Sequence, residues 1–122
     1  MSHNVEERSW MAKGDNLGEF EQLILAALMM LGENAYGMTI HEQVEKLAEG
    51  VRSVSLGSCY TTLDRLEQKG YVQSWFSDPT PQRGGRSKRY FKITGIGQVA
   101  INNSMRVAAK MVAGLNVIGG VV

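Results

Sequence analysis

Residues 55–93 hold a sharply bounded amphipathic helix followed at once by two strand-like runs with a proline- and glycine-rich tip, a succession that few small folds accommodate. Ser55 is a good cap residue, Leu56, Cys59, Leu63 and Leu66 fall on one side of a helix from about Leu56 to Lys69, and Gly70 stands where helices commonly stop. Tyr71 to Phe76 and Lys88 to Ile93 are rich in aromatic and β-compatible residues, while both prolines and Gly84-Gly85 lie between Ser77 and Ser87. The spacing predicts a hairpin with a long tip.

Around this unit the periodicity is helical. Phe20, Leu23, Ile24, Ala27, Leu28 and Leu31 form an amphipathic stripe that ends at Gly32. A second helix is expected from Tyr36 to Glu49, with Ile40, Val44, Leu47 and Ala48 on one face, Thr39 and Glu42 as a capping box, and Gly50 closing it. Val51 to Val54 reads as a minimal strand or an extended link. Thr94 caps a last helix from about Gly95 to Ile118. At 122 residues this is a single domain, and so short a chain hides only about two-thirds of the surface it exposes when unfolded. Self-association would add the missing burial.

The formal net charge of +1 conceals a split. Residues 1–50 carry nine acids and three bases, residues 51–122 three acids and ten bases, and no acid follows Asp78. Such asymmetry fits a chain with one surface meant for a polyanion, or a solvated basic face. The lone Cys59 permits no internal disulfide and fits a reducing, cytoplasmic setting. The apolar run Leu23 to Leu31 is far shorter than the roughly 20 residues of a membrane span. Residues 1–16 lack the apolar core of a signal peptide and read as a flexible extension.

The face of the third helix away from its apolar stripe collects Ser58, Thr61, Thr62, Arg65 and Lys69, with Ser55 at its start. Small hydroxyls mixed with cations can enter the major groove closely and donate to base edges and phosphates. The hairpin adds Arg83, Arg86, Lys88, Arg89 and Lys92, loosened by Gly84 and Gly85 so that backbone can approach a phosphate chain or a narrow minor groove. A cationic helix followed by a basic hairpin is the arrangement of a winged helix-turn-helix: mainly α, with a small β-hairpin wing.

Two motifs carry a family resemblance. The stretch Gly57-Ser58-Cys59-Tyr60-Thr61-Thr62-Leu63-Asp64-Arg65-Leu66-Glu67-Gln68-Lys69-Gly70 resembles the recognition-helix signature of PadR-type transcriptional regulators, and Gly84-Gly85-Arg86-Ser87-Lys88-Arg89-Tyr90-Phe91-Lys92-Ile93-Thr94, with Gly97, resembles their wing. Leu17 to Leu25 and the turn Tyr36-Gly37 are similar too, so the likeness covers about residues 17–105. It implies a homodimeric winged-helix repressor that binds double-stranded DNA at an inverted repeat, with Tyr60 and the wing cations on the phosphate backbone. Phe91 replaces a second tyrosine, Tyr36-Gly37 reverses the commoner order, and the short ending fits members with one carboxy-terminal helix.

The expected partition is therefore a winged helix over residues 17–93 and a dimerisation helix and tail over 94–122. Val99, Asn103, Val107, Met111 and Leu115 form the expected seam between subunits. Trp10, Trp75 and the methionines offer a site for a small aromatic or hydrophobic effector. The competing class is a winged-helix module that binds an acidic protein partner.

Catalytic readings fail on spacing. Gly95-Ile96-Gly97-Gln98-Val99-Ala100 fits a dinucleotide fingerprint, but no acid stands about 20 positions later to hold a ribose. His41-Glu42 lacks the second histidine of a zinc-protease helix, and one cysteine builds no zinc site. No enzyme, cofactor or metal is expected, and Cys59, on the inward side, reads as a buried thiol.

Overall fold

The computed structural model describes residues 17–77 and 87–119. Its elements run α1 (Glu19–Leu31), a 3-10 turn (Gly32–Asn34), α2 (Gly37–Leu47), α3 (Leu56–Gln68), β1 (Val72–Phe76), β2 (Arg89–Ile93) and α4 (Gly95–Val117). The fold is mainly helical with one antiparallel hairpin, as the periodicity predicts. Residues 1–16, which include Trp10, and the hairpin tip with Arg83, Gly85 and Arg86 lie outside the described residues.

Each of the four α-helices begins with a side chain bonded to a backbone N–H, either of the cap residue (α1, α2) or of the first turn (α3, α4). Glu21 turns back to accept the Gly18 N–H at 3.0 Å, and Glu19 and Glu21 place negative charge at the positive end of α1. In α3 the Ser55 hydroxyl accepts from the Ser58 N–H at 3.1 Å, and in α4 Thr94 accepts from Gly97 at 3.1 Å. The cap of α2 differs from the expected Thr39 and Glu42 pair. Tyr36 occupies the cap, and Thr39, three residues on, accepts its N–H at 3.0 Å. Thr39 is thus the return half of the box rather than its first half.

Val51 to Val54 forms no strand. The short third pairing of the sheet comes instead from Ala35 and Tyr36, where Tyr36 bridges Tyr90 and the Phe91 N–H donates to the Ala35 carbonyl at 2.9 Å. The chain leaving α1 therefore runs beside β2 and holds it at Tyr90 and Phe91.

α1, α2 and α3 enclose a core of Ile24, Leu25, Leu28, Ile40, Val44, Leu63 and Leu66, closed from the wing side by Val72, Phe91 and Ile93. The hairpin register pairs Val72 with Ile93, Ser74 with Phe91 and Phe76 with Arg89 on one face, and Gln73 with Lys92 and Trp75 with Tyr90 on the other. Thr94 joins the wing to α4: its hydroxyl donates to the Gly70 carbonyl at 2.7 Å, and its N–H donates to the Tyr71 carbonyl at 3.0 Å. Gly97 packs so closely on Tyr71 that a Cβ would collide with that carbonyl. The Gly-x-Gly spacing here serves helix packing.

α4 then leaves the domain. Of its 23 residues only Gly97 and Ile101 are buried. Val99, Val107, Met111 and Leu115 are between 44% and 60% exposed, and Asn103 is exposed with its side-chain oxygen accepting from Arg106 at 2.7 Å. The helix does not fold back on its own domain. None of the helices among the described residues is long and apolar enough to cross a membrane.

Candidate nucleic-acid interface

α3 is held by Cys59, Leu63 and Leu66 in the core, which leaves Ser58, Thr61 and Arg65 exposed along its outer side. The spacing of these three residues puts them in one row. Ser55 and Ser58 share a hydroxyl contact at 2.9 Å, and Thr61 donates to the Gly57 carbonyl at 3.0 Å, so the row begins as a compact polar edge. The Arg65 guanidinium has no ion-pair partner among the described residues.

Three expected contact residues are used inside the protomer instead. Thr62 is only 4% exposed. It stands three residues after Cys59 and four before Leu66, which is the core stripe itself, so it faces inward. Lys69 reaches back to Glu21 at 2.9 Å and ties the end of α3 to the start of α1. Arg89 bonds to Glu67 at 2.9 Å, to Asp64 at 3.1 Å and to Ser74 at 3.2 Å. Its charge is matched by carboxylates of α3, because the strand alternation that turns Phe91 and Ile93 inward turns Arg89 the same way.

Other expected residues stay at the surface. Lys88 is exposed, with its ammonium 4.2 Å above the Tyr36 ring. Tyr60 is half-buried: its ring packs toward Phe91, and its hydroxyl fills the space where a Gly37 side chain would project. The tyrosine thus sits at the margin of the core, with its hydroxyl against the buried Gly37 at the start of α2. Tyr60, Tyr36, Lys88 and Ser87 line a cleft of about 440 Å³ between α2, α3 and the wing.

Arg52 was not among the residues expected at the site. It lies just before the Ser55 cap, stacks over Phe20 at 5.1 Å and approaches Glu19 at 3.4 Å. With Ser55, Gly57, Ser58 and Thr61 it lines a notch of about 460 Å³ at the start of α3. The available signal is a single cation just ahead of a capped helix, in a stretch whose sequence fits a minimal strand or an extended link.

On the other face of the wing, Trp75 and Tyr90 stack with ring centres 6.1 Å apart. They line an open cleft of about 720 Å³ with Leu28, Met29, Glu33 and Lys92.

Burial and the nearby Glu45 carboxylate push the Cys59 thiol up to about 11. The thiol is fully buried, so at neutral pH it is protonated packing material rather than a nucleophile.

The model of the transcriptional regulator PadR-like family matches residues 24–103. Among solved structures, the chain is similar to a PadR family transcription regulator from hypervirulent Clostridium difficile, with 24% identity, a TM-score of 0.65, and coverage of 83% of this chain and 98% of that one. It is also similar to a PadR-like transcriptional regulator from Bacillus cereus, with 22% identity, a TM-score of 0.65, and coverage of 89% and 95%. The Aeropyrum pernix ORC1 protein in complex with DNA shares the fold at 22% identity and a TM-score of 0.62, over 84% of this chain and 29% of its own. No match is found among curated proteins.

Proposed function

Because the chain belongs to the PadR-like family of transcriptional regulators, we propose that it is a dimeric, sequence-specific repressor acting in the cytoplasm on an inverted-repeat operator. The family makes it a DNA-binding regulator. The finer reading rests on one observation: α3 presents Ser58, Thr61 and Arg65, which has no ion-pair partner among the described residues, in a single exposed row beside the wing. In this reading α3 enters the major groove, where Arg65 reads a base edge or a phosphate. Ser55, Ser58, Tyr60, Lys88 and Arg52 hold the phosphate chain, and Arg83, Gly85 and Arg86 at the wing tip bring it to the flanking groove.

The exposed apolar face of α4 supports the dimer. An isologous pair would present two copies of α3 to two half-sites related by the same twofold axis, which is why an inverted repeat is the matching target. The Trp75 and Tyr90 cleft is the place this reading gives to a small aromatic or hydrophobic effector, since a planar apolar molecule can stack on the exposed indole. Trp75 fluorescence on ligand addition tests that part.

The decisive experiment selects bound fragments from a genomic library with the purified protein, then titrates a selected palindrome and a scrambled duplex at several salt concentrations. Expected are a preference for the palindrome and a steep loss of affinity with salt. Equal binding of both duplexes would overturn sequence-specific recognition. A complete absence of salt-dependent duplex binding would favour the acidic protein partner.

A further inference from the structure

We propose that Arg89 is a positioning residue that locks the outer wing onto the recognition helix, so that DNA affinity depends on a side chain that does not itself touch DNA. The inference rests on the DNA-binding reading above. The Arg89 guanidinium meets carboxylates of both Asp64 and Glu67 on α3, while its Nε reaches Ser74 on β1 at 3.3 Å. Ser74 in turn donates to the second oxygen of Glu67 at 2.8 Å. One closed network thereby joins α3, β1 and β2, and the guanidinium also lies 4.8 Å from the centre of the buried Phe91 ring.

The position of Arg89 along the ribbon gives this network its importance. At the base, Val72 and Ile93 are buried and anchor the hairpin in the core, and Phe91 does so one step outward. The outermost inward-facing pair is Phe76 and Arg89, and Phe76 is 68% exposed and anchors nothing. The Tyr36 bridge to Tyr90 holds β2 to the chain leaving α1, and Arg89 is the inward-facing side chain that ties the outer end of the ribbon to α3, a ribbon of little stability on its own. The single guanidinium also offsets one of the two negative charges of Asp64 and Glu67, which lowers the repulsion that this edge of α3 would exert on a nearby phosphate chain.

The test uses the full chain and a duplex of defined sequence, with the slope of log affinity against log salt as the readout. Each lost phosphate contact lowers the slope by about 0.9. If Arg89 acts by position, Arg89→Ala releases several wing contacts together and lowers the slope by about 1.8 or more, with at least about a tenfold loss of affinity. Arg89→Lys, which can keep one of the carboxylate contacts, restores part of it. The double variant Asp64→Ala/Glu67→Ala is expected to lower the slope in the same way, although it removes two negative charges. Both of these residues are substantially exposed, at 55% and 36%, so this variant carries the test even if Arg89→Ala folds poorly.

A direct Arg89 phosphate contact predicts the opposite pattern: a fall of about 0.9 for Arg89→Ala, and an unchanged or steeper slope for the double variant. Either result overturns the positioning role, as does an unaltered slope in Arg89→Ala. If the unsubstituted chain shows no salt-dependent duplex binding, the DNA-binding reading itself has failed, and that outcome is separate from the others.

Discussion

At the scale of single residues, the interface divides cations by what already holds them. Arg65 on α3 and Lys69 at its end lie four positions apart and look alike in the sequence, yet Arg65 is exposed with no ion-pair partner among the described residues, whereas Lys69 is 2.9 Å from a nearly buried Glu21. Arg65→Ala should therefore weaken operator binding by about 1–3 kcal/mol without moving the melting temperature. Lys69→Ala should instead destabilise the fold by about 1–2 kcal/mol, because it leaves the Glu21 carboxylate with only the Gly18 N–H and no countercharge, with a discount from a fully buried pair for the partial exposure of Lys69. Paired titrations and thermal melts of the two variants separate these effects, and equal losses of affinity at unchanged stability would refute the division. Cys59 gives a second residue-scale expectation. Its folded value of about 11 lies above the ordinary thiol value of about 9, so the folded state keeps its proton where the unfolded chain loses it. The stability it contributes is complete below about pH 9 and is lost as pH rises toward 11, at no more than about 1.4 kcal/mol per pH unit. Denaturant midpoints measured across that window should fall more steeply in the unsubstituted chain than in Cys59→Ala. Parallel curves would mean that the thiol is not the source.

At the scale of elements, the helices were legible because their caps and apolar stripes lie close together in the sequence. Ser55, Gly70 and Thr94 mark their boundaries through local hydrogen bonds and a positive φ of 84° at Gly70, and no tertiary contact is needed to foresee them. What could not be read locally was how the elements meet. The pairing of Ala35 and Tyr36 with the wing depends on residues more than fifty positions away, and neither residue signals a strand. The inward turn of Arg89, by contrast, follows from its alternation with Phe91 and Ile93, but the carboxylates that hold it there lie more than twenty positions away on α3. Gly97 shows the same division between local pattern and tertiary cause. Its motif resembles a nucleotide-binding turn, whereas its packing partner is the Tyr71 carbonyl, the acceptor that also holds the Thr94 N–H. Gly97→Ala should consequently cost about 1–3 kcal/mol, since a backbone carbonyl cannot swing aside as a side chain can. Gly95→Ala, two residues earlier with nothing within 4 Å of its added Cβ, should be neutral or stabilising by up to about 1 kcal/mol. Chemical denaturation of the two single variants checks the contrast, and a Gly97→Ala protein as stable as Gly95→Ala would show that the joint between wing and α4 yields easily.

At the scale of the molecule, the two ends of the fold have opposite relations to solvent. The winged domain closes its core fully around Ile24, Leu63 and Phe91, while α4 carries Val99, Met105, Val107, Met111 and Leu115 outward with little of its own chain to cover them. A helix so apolar along an exposed flank loses less in water if a second copy supplies the missing face, and Asn103 within that flank can fix the register at a cost in stability. Coupling between the two ends follows from geometry, because Thr94 and Gly97 join α4 directly to the base of the wing. Dimerisation would then set the distance between two recognition helices through a short and rigid connection. Met111→Asp, at a position 59% exposed and far along α4 from the core, should leave the melting of the winged domain little changed while converting the protein to a monomer in light-scattering measurements. The monomer should keep weak, salt-sensitive binding to any duplex but lose most of its preference for the palindrome, since only the pair spans both half-sites. A Met111→Asp protein that remains dimeric and still prefers the palindrome would remove α4 from the assembly and require another surface to align the two subunits.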